Sequence, residues 1–179
     1  MSQLSKKIIK WQRKFGRNNL PWQINTNPYK VWISEIMLQQ TQVKTVIPYF
    51  EKFMTRYPNI ESLADSTEDE VLSYWSGLGY YSRGRNVLKS AKIIKKEFNS
   101  SMPSDSDSLE SLPGIGKSTA GAILSLGFKK RAAILDGNAK RVLIRYFKVE
   151  EVIDSTRTVK KLWQIAEEQL PKKDNDVYT

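Results

Sequence analysis

Along nearly the whole chain, apolar residues recur at intervals of three and four, and nowhere do apolar and polar residues alternate over the length of a strand. A chain patterned this way has to bury helical stripes against one another, so the sequence predicts an all-α fold. Leu4, Ile8, Trp11 and Phe15 form the first stripe, Gly16 is its expected stop, and residues 17–27 read as a loop. Pro28 opens a second helix with the stripe Tyr29, Trp32, Ile33, Ile36 and Met37. Val43, Val46, Ile47, Phe50 and Phe53 mark a third, with Pro48 in its first turn or kinking it. Thr67-Glu68-Asp69-Glu70 has capping-box spacing ahead of Val71, Leu72 and Trp75. Gly77-Leu78-Gly79 then makes a tight loop before a basic helix carrying Arg83, Arg85, Lys89, Lys92, Lys95 and Lys96. The Ser/Asp/Pro-rich stretch Asn99–Ser108 is the best candidate for a surface loop joining two lobes. Ala120, Ile123 and Leu124, the run Val142 to Phe147, and Val159, Leu162, Trp163, Ala166 and Leu170 supply the later stripes, the last capped by Asp154 or Ser155.

At 179 residues the chain suffices for one domain or for two small helical lobes sharing a cleft. Lys plus Arg number 29 against 19 Asp plus Glu, a formal charge of +10, so its field attracts polyanions, nucleic acid first. No apolar run approaches a membrane span and the N-terminus lacks a signal-peptide core, so the expected place is the cytoplasm, at the nucleoid if bacterial. Cysteine and histidine are both absent, which removes thiol nucleophiles, Ser-His and Cys-His triads and most zinc sites. Carboxylates, Lys, Ser, Thr and Tyr remain for any chemistry.

The strongest local signal is Leu112-Pro113-Gly114-Ile115-Gly116-Lys117-Ser118-Thr119-Ala120. Two glycines one residue apart let the backbone turn sharply and approach another chain, and the helix that follows points amides and its positive end outward. A phosphate fits there, held by Gly114, Gly116 and their neighbours without any reading of sequence. An ordinary helix-to-helix turn is the plainer alternative, but the Leu-Pro before it, the Thr-Ala after it and the basic chain around it favour a helix-hairpin-helix near 109–127 that binds DNA.

Further blocks accompany the hairpin in a fixed order. Leu20-Pro21-Trp22, then Pro28-Tyr29-Lys30-Val31-Trp32-Ile33-Ser34-Glu35-Ile36-Met37-Leu38-Gln39-Gln40-Thr41-Gln42-Val43, Gly77-Leu78-Gly79-Tyr80-Tyr81-Ser82-Arg83, and Ile134-Leu135-Asp136-Gly137-Asn138-Ala139-Lys140-Arg141-Val142 flank it. Together they resemble the adenine DNA glycosylases, the MutY-type branch of the helix-hairpin-helix base-excision superfamily, from about Trp11 to Trp163. The resemblance implies a monomer of two helical lobes with a DNA cleft between them, which binds duplex DNA bearing adenine opposite 8-oxoguanine or guanine and hydrolyses the glycosidic bond of that adenine.

Each implied site residue also has a plainer local reading. By periodicity Glu35 is a solvated surface glutamate; the resemblance makes it the general acid that protonates the adenine ring, which requires a desolvated carboxyl group. Asp136 reads locally as a helix N-cap, whereas the family keeps this residue ionised to stabilise the sugar cation, with Asn138 orienting it and the attacking water. Gln40 and Tyr80 match residues that enter the base stack when the target is flipped out, although locally they are a helix-end glutamine and a half-buried tyrosine. Trp22 and Gln23 resemble adenine-pocket residues; Leu112, Ile115, Lys117 and Ser118 complete the DNA-binding hairpin. Bifunctional relatives of the endonuclease III type place a nucleophilic lysine where Ser118 stands, and Lys117, one residue away, is turned by about 100° on a helix. Base hydrolysis without efficient strand cleavage is therefore expected.

The family also carries four cysteines for a 4Fe-4S cluster, then usually a Nudix-like domain, beyond the region where this sequence stops at Thr179. With no cysteine this chain binds no cluster, so the resemblance implies one held by a missing C-terminal segment. The expected organisation is residues 1–25 as an N-terminal helix and loop packing with the C-terminal lobe, 26–135 as a six-helix-type lobe, and 136–179 as the incomplete start of the second lobe. The first helix is then expected to expose its stripe. A fragment, a truncated gene product and a cluster-free variant all remain open. So do two other functions: a catalytically impaired DNA-binding remnant and an endonuclease III-like glycosylase.

Overall fold

Helix-start chemistry sets most of the element boundaries. Asn27 Oδ1 accepts from Lys30 N at 2.9 Å, opening a helix with Pro28 in its first turn. Thr67 and Glu70 cap each other reciprocally, Thr67 N to Glu70 Oε2 at 2.8 Å and Glu70 N to Thr67 Oγ1 at 3.3 Å. The computed structural model describes residues 1–153 and 155–179, and no strand occurs among the described residues. In chain order come α1 (Gln3–Phe15), a 3-10 turn (Pro21–Gln23), α2 (Pro28–Leu38), α3 (Val43–Arg56), α4 (Ile60–Ala64), α5 (Glu68–Trp75) and α6 (Tyr81–Glu97). After these lie α7 (Ser106–Glu110), α8 (Lys117–Ala122) running directly into a π turn (Ile123–Gly127), α9 (Gly137–Phe147), α10 (Thr156–Gln169) and α11 (Asn175–Tyr178). Ser155 caps α10 by accepting from Thr158 N at 3.2 Å. The alternative cap, Asp154, lies outside the described residues.

Two apolar clusters form. The larger spans Trp22 to Leu124 and is rich in aromatics: Trp22 meets Phe50 edge-on at 5.4 Å, and Phe53 meets Trp75 at 6.0 Å. Leu4, Leu135, Leu143, Val149, Leu162 and Ala166 make the smaller one. The N-terminal helix thus joins the C-terminal elements: Ser5 Oγ donates to the Gln169 carbonyl, and Arg13 pairs with Asp174 at 3.0 Å.

Two expectations change. Only part of the α1 stripe is exposed: Leu4 is buried and Ile8 half-buried, while Trp11 and Phe15 are 57% and 60% exposed. The buried side is centred on Leu4, Ser5 and Ile9, rotated from the predicted line. The Asn99–Ser108 stretch does not join lobes either. It leads from α6 to α7, and Ile94 and Leu109 belong to the same cluster, so its polar composition reflects a surface turn within that cluster.

Two glycines set close approaches around α8. A Cβ on Gly121 would lie 2.0 Å from the Ala133 carbonyl oxygen, and one on Gly127 would lie 2.6 Å from Pro28 Cα. One continuous helical run therefore touches both the segment leading to Asp136 and the start of α2. A buried polar group fastens its far end: Asn175 Nδ2 donates to Ser125 Oγ at 2.6 Å and to the Lys130 carbonyl at 3.0 Å.

Candidate active site and DNA-facing surface

Helix α2 carries Glu35, and nearly all of that helix is inside. Tyr29, Val31, Trp32, Ile33, Ser34, Ile36 and Met37 are all buried, leaving only a narrow, partly exposed strip for a glutamate. Glu35 retains limited solvent contact as a residue, but protein atoms crowd its carboxyl group. Burial, and after it the negative charge of Asp136, push its pKa from 4.5 up to about 7. The surface reading of Glu35 from periodicity alone is thus corrected, and the two carboxyl groups lie within electrostatic reach of each other.

Asp136 is exposed and caps α9, its Oδ1 accepting from Ala139 N at 2.7 Å. Asn138 Nδ2 stands 3.4 Å from Asp136 Oδ2, and Asn138 Oδ1 in turn accepts from Arg141. The local N-cap reading of Asp136 is therefore what the geometry shows. A groove of about 640 Å³ runs past Asp136 and Asn138, bounded by Trp11, Arg17, Val142 and Tyr178. Glu35, Trp22 and Gln23 are not among its lining residues.

In the hairpin, Leu112 and Ile115 are buried at 2% and 4%, so only their backbone can face a partner. Gly114 and Gly116 are exposed; Gly114 has φ +83°, and a Cβ on Gly116 would meet open space. Ser118 Oγ accepts from Leu135 N at 3.1 Å, one residue before Asp136. Lys117 points elsewhere, its Nζ 3.2 Å from Glu167 Oε1 and 4.2 Å from the centre of the Trp163 ring. It is exposed, its side chain 48% accessible, and makes a surface ion pair with Glu167.

Gln40 and Tyr80 are both exposed and both left-handed, with φ 57° and 48°. Trp22 is 8% exposed, seated in the larger cluster. Gln23 spends both ends of its amide on its own loop, accepting from Leu20 N at 3.0 Å and donating to the Arg17 carbonyl at 2.9 Å. The basic helix α6 is partly neutralised, Arg85 by Glu68 at 2.8 Å and Lys95 by Asp65. Arg83 differs from its neighbours. It is 8% exposed and donates into carbonyls of α2 and of the Gly77–Gly79 loop. Counting Arg83 among the cations of a basic helix did not reveal this, although Val87, Ala91 and Ile94 place it on the buried face of α6 by helical spacing.

An iron–sulfur cluster of the kind the resemblance implies needs cysteine thiolates, and the sequence has none, so the residues here do not fit it.

Residues 33–168 match the family model of the HhH-GPD superfamily, base excision DNA repair proteins. The adenine DNA glycosylase of Buchnera aphidicola subsp. Baizongia pistaciae is 58% identical over 164 residues, an alignment covering 92% of this chain and 46% of that protein. The thymine/uracil-DNA glycosylase of Pyrobaculum aerophilum is 33% identical over 166 residues, covering 92% of this chain and 72% of that protein. A solved structure of a thermostable thymine-DNA glycosylase superposes with a TM-score of 0.88 at 26% identity, covering 98% of this chain and 80% of the other. This chain spans about half the length of the adenine DNA glycosylases of Buchnera that it matches. On the match over residues 33–168, with the hairpin and the carboxyl pair inside it, the chain belongs to the HhH-GPD superfamily of base excision DNA repair proteins.

Proposed function

We propose that this chain carries the chemistry of an adenine-specific, monofunctional DNA glycosylase acting on adenine opposite 8-oxoguanine or guanine in duplex DNA. One observation carries the reading: two carboxyl groups far apart in sequence converge, and one of them has its pKa pushed up to about 7 by burial and by the other's charge. A carboxyl group in that state still holds a proton near neutrality and has a partner that supplies negative charge.

In this reading Glu35 donates its proton to the ring of the flipped adenine, so the base departs as a neutral group. Asp136 stabilises the positive charge that develops on the sugar, and Asn138 holds Asp136 and the attacking water in place. The backbone at Leu112, Gly114, Ile115 and Gly116 grips a phosphate, setting register without reading sequence. Gln40 and Tyr80 fill the gap left by the flipped base, and Trp22 and Gln23 border the adenine pocket. Ser118 contributes a hydroxyl where an amine nucleophile would be needed for lyase chemistry, which leaves water as the nucleophile. The smaller apolar cluster, with α1, belongs to a second lobe facing the first across the cleft. The enzyme works as a monomer in the cytoplasm, on DNA.

The test is release of free adenine from a duplex carrying 8-oxoguanine or guanine opposite adenine. Release by the folded chain, lost in Glu35→Gln with duplex affinity nearly unchanged, supports the proposal. A folded chain that binds duplex and releases nothing is a DNA-binding remnant, and the enzymatic reading is then abandoned.

A further inference from the structure

We propose that Arg83 is a positioning residue that locks Gln40 and Tyr80 into one rigid unit, so that both enter the base stack together. This rests on the reading of those two residues as the ones that enter the stack.

Gln40 lies two residues beyond the end of α2, and Tyr80 directly precedes α6. They come from different segments, and each holds a left-handed backbone that a non-glycine residue adopts only at a cost. Something has to hold these two tips in place against solvent. The guanidinium of Arg83 sits between them. Nη1 shares its two hydrogens among the Ile36 and Met37 carbonyls, at 2.9 Å each, and the Gln39 carbonyl. Nη2 likewise shares its two among the Leu78 and Gly79 carbonyls, at 3.3 Å each, and Thr41 Oγ1 at 3.2 Å. None of these acceptors is a carboxylate.

The choice of acceptors is specific. Gln39 and Gly79 are the residues immediately before Gln40 and Tyr80, so holding their carbonyls fixes the peptide planes on which the two left-handed tips are mounted. Ile36 and Met37 lie in the last turn of α2, where carbonyls have no partner within the helix. Nε is enclosed without a partner, so the bonding is concentrated on the two terminal nitrogens. Finally, the guanidinium lies 5.3 Å from the Tyr80 ring centre and 5.8 Å from that of Trp75, which adds a cation–π contact at the base of the Tyr80 wedge. A lysine keeps the charge but is a point donor on a flexible stem, and cannot span both loops with paired nitrogens.

The experiment compares adenine release from two substrates: a paired duplex, and the same duplex with the target adenine opposite an abasic site, where no base pair has to be opened and flipping is easier. Arg83→Lys is expected to lower the ratio of paired to unpaired rate at least tenfold. Gln40→Ala and Tyr80→Ala are expected to lower that same ratio, and Arg83→Lys/Tyr80→Ala to lower it no further than Arg83→Lys alone. A role in overall folding or in the chemical step would slow both substrates equally. If Arg83→Lys does so while Gln40→Ala and Tyr80→Ala act selectively, the Arg83 proposal is overturned and the wedge reading survives. If neither Gln40→Ala nor Tyr80→Ala changes the ratio, the wedge reading falls and this proposal with it. Should Arg83→Lys not fold, Thr41→Val removes one acceptor and keeps the rest; it is expected to lower the ratio about threefold, and an unchanged ratio counts against the proposal.

Discussion

Glu35→Gln should stabilise the protein, and by an amount that depends on pH. Glutamine matches the volume of glutamic acid but never ionises. In the wild type the pKa of Glu35 is raised on folding from 4.5 to about 7, chiefly by burial. Below pH 4.5 the carboxyl is protonated in both folded and unfolded chains, and its ionisation costs folding nothing. As pH rises from 4.5 to 7 the unfolded chain releases the proton while the folded one retains it, so stability is lost across that window and levels off above pH 7. At ~1.4 kcal/mol for each tenfold difference in proton affinity, the loss comes to about 3 kcal/mol. Urea unfolding followed by tryptophan fluorescence at pH 4, 6 and 8 reads it, with the wild type subtracted from the variant so that other groups cancel. The difference should grow by about 3 kcal/mol from pH 4 to pH 8, which is roughly 1–3 M in urea midpoint. Parallel stability curves for the two proteins would refute the burial of this carboxyl and the chemistry built on it.

Asp136→Asn keeps a good N-cap for α9, so unfolding free energy should change by only about 0.5 kcal/mol, while single-turnover adenine release falls about 100-fold or more. Gly121→Ala puts a methyl group 2.0 Å from the Ala133 carbonyl; thermal melting should show a loss of roughly 1–3 kcal/mol, and adenine release should fall because the segment leading to Asp136 is displaced. Borohydride added during reaction should trap no covalent DNA adduct, because position 118 is serine and Lys117 is held by Glu167 and Trp163; an adduct seen on a denaturing gel would assign lyase chemistry to this chain.

Helical segments were legible because their signals are local. The Thr67–Glu70 capping box, Pro28 at a helix start and the glycine turns each state a boundary within a few residues. The candidate site came only from several blocks read in register, since Glu35 and Asp136 separately look like a surface acid and a helix cap. What periodicity missed was tertiary: seven of the eleven residues of α2 are buried, so a polar position on it is crowded and not freely solvated. Val31, one turn before Glu35, was a local hint of this. The burial of Arg83 was not drawn from the sequence, although Val87, Ala91 and Ile94 share its stripe on α6. The approaches at Gly121 and Gly127 depend on which distant segments pack there, and nothing in the local sequence states that.

The central claim is that Glu35 delivers a proton it still holds near neutral pH. The single-turnover rate of adenine release, measured from pH 5 to pH 9 on one duplex, tests it most directly. The rate is predicted to fall about tenfold for each pH unit above roughly 7, and Glu35→Gln to release no adenine at any pH. A rate that stays level or climbs up to pH 9, or a Glu35→Gln variant as fast as the wild type, would contradict it.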